Sequence, residues 1–129
     1  MRTRGQLLPL GALLMMIACG GGGGGSTPTA PTNPTVTNTI TITAQGASPR
    51  NIQINAGSRV TFVNNDTRAH NMTSDPHPEH TACPELNSVG LLTTGQSRES
   101  GNLNTVRVCG FHDHDNPGTT SLTGTVTIR

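Results

Sequence analysis

The 129-residue chain carries a formal charge of +1, contains no Lys, Trp or Tyr, and has only Phe62 and Phe111 as aromatics. From Asn38 onward six arginines face seven carboxylates, a near-neutral balance with no nucleic-acid footprint. No Ser/His/Asp constellation, phosphate-cradling loop or carboxylate pair argues for hydrolytic chemistry, and no enzyme is expected.

The chain opens with Arg2 and Arg4 ahead of an apolar run from Leu7 to Ala18, too short for a lasting membrane span. This reads as an export signal over residues 1–19. Its end, Met16-Ile17-Ala18-Cys19, resembles the lipobox of bacterial lipoproteins, in which the cysteine is acylated and becomes the new N-terminus. Lipidation at Cys19 and a lipid-anchored place in the bacterial cell envelope or periplasm are therefore expected. Residues 20–37, a glycine run followed by Thr and Pro, read as a flexible linker. The folded domain is expected over 38–129, enough for one small unit.

Within that unit the dominant period is two. Thr39-Ile40-Thr41-Ile42-Thr43 and Asn51-Ile52-Gln53-Ile54 place isoleucines on one face of a half-buried strand. Arg59 to Asn64 reads as a third strand, with Val60 and Phe62 facing one way. From His70 to Gly90 the alternation stops and Pro76, Pro78 and Pro84 intervene, so this stretch reads as a long loop, of the kind that is usually functional. A short apolar segment at Val89–Leu92 follows, then a turn, then a strand from about Leu103 to Cys109 with Val106 and Val108 alternating. A second loop is expected from Gly110 to about Ser121, and Leu122 to Ile128 closes the domain. Seven to eight short strands separated by turn signals predict an all-β, antiparallel sandwich.

All five histidines, His70, His77, His80, His112 and His114, fall in the two expected loops. Neutral imidazole is a common metal ligand, and loops on a rigid sandwich are where a site is built. Cys109-Gly110-Phe111-His112 offers a thiolate and an imidazole on one tight segment, and trigonal His2Cys coordination is what electron-transfer copper uses. If residues 112–114 are extended, His112 and His114 project to the same side.

The order of these segments resembles the cupredoxins, the plastocyanin-like blue copper proteins, over nearly the whole domain. The resemblance rests on Val60-Thr61-Phe62-Val63-Asn64-Asn65-Asp66 before His70-Asn71, then Leu91 to Ser97, Cys109-Gly110-Phe111-His112, and the final Gly124-Thr125-Val126-Thr127-Ile128. It implies a Greek-key β-sandwich binding one copper ion for electron transfer, a monomer serving a redox protein partner. It also implies His70, Cys109 and His112 as ligands, with His114 an alternative or a fourth. No methionine follows Met72 to serve as the family's weak axial ligand, and Met72 itself reads as packing.

Cys83 lies in the same region, and a Cys83–Cys109 disulfide stands as an open alternative. It would leave a histidine-only site, drawn from His70, His112, His114 and one of His77 or His80, in a copper-holding rather than electron-transferring protein. His77-Pro78-Glu79-His80 would suit such holding. Gly110-Phe111-His112-Asp113-His114 also resembles a strand of copper/zinc superoxide dismutases, but only fifteen residues follow His114, so that likeness spans too little chain.

Overall fold

Residues 33–129 are described by the structure, a computed structural model. The expected export signal, Cys19 and the linker up to residue 32 lie outside the described residues.

The sequence's alternation of Thr or polar residues with Ile carries into three dimensions. The strands are β1 (Thr35–Val36), β2 (Thr39–Thr43), β3 (Gly46–Ser48), β4 (Asn51–Ile54) and β5 (Thr61–Asn64), followed by β6 (His70–Ser74), β7 (Gly90–Leu92), β8 (Ser97–Glu99), β9 (Val108–Asp113) and β10 (Gly124–Ile128). Short 3₁₀ helices span Pro84–Ser88 and Thr120–Leu122. In β2 and β4 the isoleucines are buried while the intervening residues stay half-exposed, as a pleated strand with one core face requires.

Two sheets form. One has six strands in the order β1-β4-β10-β9-β6-β7, the other four in the order β3-β2-β5-β8. Both are mixed: β1–β4, β4–β10 and β2–β5 run parallel, and the other neighbouring pairs run antiparallel. Between the sheets lie Ile40, Ile42, Ile52, Phe62, Met72, Leu92, Phe111, Val126 and Ile128, all buried. Phe62 of β5 and Phe111 of β9 meet edge to face with centroids 5.3 Å apart, tying the sheets together at their centre.

The all-β sandwich agrees with the sequence reading, with differences in detail. Among the described residues there are ten strands rather than seven or eight, and the sheets are mixed rather than purely antiparallel. Thr35–Val36, at the end of the expected linker, pairs with β4. The largest difference is that His70–Ser74 is a strand, not the start of a loop. Its burial alternates, but His70, Met72 and Ser74 are the inward residues, so a polar face hides the period from any hydrophobicity count. Similarly, β9 begins at Val108 and runs on through Gly110, Phe111 and His112 to Asp113, and Val106 and Val108 are exposed rather than core. The histidines are thus not all in loops: His70 and His112 are on strands.

Cys83 and Cys109 are both buried and joined by a disulfide with Cα atoms 5.8 Å apart. It closes a loop of 26 residues in sequence separation, for which chain-entropy reasoning gives about 3–4 kcal/mol. Reduction, or Cys83→Ala with Cys109→Ala, is expected to lower unfolding free energy by that amount, measured by urea denaturation.

Candidate metal centre

Strand parity decides which histidines can meet. The register pairs Met72 with Asp113, Thr73 with His112 and Ser74 with Phe111. Phe111 faces the core, so Cys109 and Asp113 face inward with it, as do His70, Met72 and Ser74 across the pair. Gly110 and His112 therefore face out from the six-stranded sheet, beside Thr73.

Residues 75–83 fold over this outer face. The Asp75 amide donates to the Gly110 carbonyl at 3.0 Å, and the Ala82 amide closes back on the Asp75 carbonyl at 2.9 Å. Gly110 makes the approach possible: a Cβ there would collide with the Asp75 carboxylate. The disulfide anchors the loop's far end at Cys83 to the same strand.

This arrangement gathers His77 and His80 from the loop with His112 and His114 from the end of β9. One ligand atom from each, four in all, lie within 4.8 Å of one another. Ring centroids of five of the six pairs are separated by 4.9 to 5.5 Å. His112 is buried and its Nδ1 meets Asp75 Oδ1 at 2.6 Å. A carboxylate only accepts, so Nδ1 carries the hydrogen and Nε2 keeps its lone pair. His80 Nδ1 donates to the Ser74 carbonyl at 2.8 Å, which likewise frees Nε2. That nitrogen lies 2.9 Å from His114 Nδ1.

His80 adopts a φ of 55°, in the left-handed region, at a cost of about 1–3 kcal/mol for a residue with a Cβ. Its amide bonds to the Pro76 carbonyl at 2.7 Å and its carbonyl accepts from Asn87 at 2.8 Å, so the conformation is held from both sides. His77 is exposed, and desolvation together with the neighbouring His114, His112 and His80 lowers its pKa, against an opposing pull from Glu79. A lowered pKa keeps that ring neutral, the form that binds metal.

The donor set fits a metal ion. Two nitrogens bound at right angles to one ion at the usual 2.0–2.1 Å sit about 2.9 Å apart, the His80–His114 spacing. Four imidazoles suit a tetragonal Cu(II) or a tetrahedral Zn(II).

His70 is outside this cluster. It is buried on the inward face, with Nδ1 2.9 Å from Asp113 Oδ2 and Nε2 3.0 Å from Asp66 Oδ2. Both ring nitrogens are engaged by carboxylates, and His70 and His112 face opposite sides of the sheet, so the structure does not bring these two expected ligands together. Cys109 is likewise removed from the expected ligand set, since a disulfide sulfur offers no thiolate. His112 and His114 do come together. Sequence reading named His77 and His80 as a scavenging segment but allowed only one of them into the histidine-only site. The signal for both was their i, i+3 spacing in a proline-bounded loop.

The fold and site together define a class: a two-sheet β-sandwich with an imidazole cluster on an outer face. No protein-family model and no curated protein sequence matches the chain. Solved structures do. A novel purple cupredoxin from Nitrosopumilus maritimus is 25% identical, with TM-score 0.59, covering 72% of this chain and all of that one. An oxidised plastocyanin from Dryopteris crassirhizoma is 19% identical at TM-score 0.55, covering 70% of this chain and 99% of that one. An oxidised amicyanin mutant is 14% identical at TM-score 0.56, covering 70% and 80%. The chain is cupredoxin-like.

The inward network titrates in acid. The hydrogen bond from His70, with those from the Thr67 amide and Arg68, outweighs burial and holds Asp66 at about 2 against an ordinary 3.8. A depressed carboxylate stabilises the fold above its unfolded value and loses that contribution as pH falls through the folded one. Thermal melts are expected to show stability dropping between about pH 4 and pH 2, with a shallower drop in Asp66→Asn.

Proposed function

We propose that the chain is an exported copper-holding protein that binds one Cu(II) through His77, His80, His112 and His114. The observation that carries this reading is the cluster of four imidazole nitrogens within 4.8 Å, two of whose rings are oriented by outer partners. The fold supports copper rather than zinc, since a solved amicyanin neighbour is described with Cu(I); first-row affinity order favours Cu(II) over Zn(II) in the same direction. The disulfide fits an oxidising compartment, as an exported protein would meet.

An electron carrier of the blue type needs the Cys109 thiolate, which here is spent on Cys83. Without the thiolate that selects Cu(I), four imidazoles in a tetragonal array suit Cu(II). Bound copper would supply a fixed divalent charge at the outer face. The protein's own part is to present lone pairs: Asp75 and the Ser74 carbonyl fix the tautomers of His112 and His80, and the Gly110 gap admits Asp75.

Titration of the purified protein with Cu(II) is expected to saturate at one ion per chain. The complex should be pale, with nitrogen hyperfine structure in its EPR spectrum and no free thiol at Cys83 or Cys109. An intense thiolate-to-copper band would overturn the reading. His80→Ala and His112→Ala are each expected to weaken binding by more than the roughly 10–100-fold that losing an outer partner costs. Gly110→Ala, which pushes Asp75 aside, should fall within that range. Competition against a chelator of known affinity measures all three.

A further inference from the structure

The buried trio Asp66, His70 and Asp113 has no place among the proposed ligands, yet each member is at most 2% exposed. Asp113 stands between His112 and His114 in sequence and faces the opposite way. Its Oδ1 accepts from the Asn71 amide at 3.0 Å and the Asp115 amide at 3.2 Å. Its Oδ2 accepts from Asn116 Nδ2 at 3.0 Å and meets His70 Nδ1 at 2.9 Å. The His114 amide itself donates to the Asn71 carbonyl at 2.7 Å. The backbone on both sides of His114 is thus pinned, through one carboxylate, to the strand that carries His70.

We propose that His70 is a positioning residue for the imidazole site, acting through Asp113 to set where His114 stands. Its metal consequence rests on the copper reading above. His70 reaches Asp66 and Asp113 at once, and both bonds are complete when both ring nitrogens carry hydrogen. The ring thus sits between two buried carboxylates and engages both of them. Removing it frees Asp113 to turn toward water and carry the 113–116 turn with it.

Two near-isosteric substitutions separate the two contacts, since each keeps a donor toward only one carboxylate. Asn places its amide nitrogen near the ring's Nδ1 position, facing Asp113; Gln places it near Nε2, facing Asp66. His70→Gln is expected to weaken Cu(II) binding by about 10–100-fold and to alter the nitrogen hyperfine pattern in EPR. His70→Asn is expected to keep both close to the parent. In the metal-free protein the imidazole ¹⁵N shifts of His114, which report its bond to His80 Nε2, should change in the Gln variant only. Parent-like shifts in His70→Gln, or equal loss in both variants, would overturn the proposal. Should His70→Gln fail to fold, Asn116→Ala takes its place, because it removes a surface bond to the same Asp113 oxygen. It should move the His114 shifts with little change in melting temperature, and unchanged shifts would sink the idea. Because these shifts are read without metal, they decide the role of His70 even if the parent takes up no copper, a result that would count against the copper site alone.

Discussion

The pairing of β6 with β9 is the constraint on which the molecule's chemistry depends. Opposing Thr73 to His112 fixes which side chains share a face. A slip of one residue would carry His112 into the core and turn Asp113 outward, because strand side chains alternate with period two. The observed register sends His70 and Asp113 inward, where they compensate each other, and His112 outward to meet the loop folded over it. The disulfide and the Asp75–Gly110 contact then hold that loop against the strand from two points.

Two kinds of histidine result. The inward one is consumed by structure: His70 bridges two carboxylates that are each at most 2% exposed. Burial alone pushes Asp113 upward, and hydrogen bonds from His70, the Asn71 amide, Asn116 and the Asp115 amide overcome it, leaving the carboxyl below its ordinary value. The four outward rings are different. Two are oriented by acceptors at Nδ1, His77 has no ring hydrogen bond among the described residues, and His80 sits in a strained backbone conformation. Strain and converging lone pairs in one place are the features on which the proposed copper site rests.

Much of the fold was legible because its signal is local. The Thr/Ile alternation of β2 and β4 and the Val-x-Phe of residues 60–62 write the core face directly into the sequence. The site was less legible because β6 and β9 bury His70, Ser74 and Asp113 at inward positions where an apolar residue would have shown the period. Without that period, residues 70–74 looked like loop, and a histidine in a loop can face anywhere. The fate of Cys109 was open for a related reason: whether two sulfurs meet depends on a distance that spacing does not encode.

Family likeness pulled the site reading in one direction and register pulled it in the other. The cupredoxin resemblance carries His70, Cys109 and His112 to one ion, and all three stand at the matching places in the chain. Here, however, His70 is bonded to two aspartates and Cys109 to Cys83, while His112 turns to a loop that brings its own imidazoles. On the proposed reading, a cupredoxin-like scaffold keeps its fold while candidate ligands gather on the outer face of one sheet. Within the proposed reading, the choice between shuttling an electron and holding an ion turns on the Cys109 sulfur, which is bonded to Cys83.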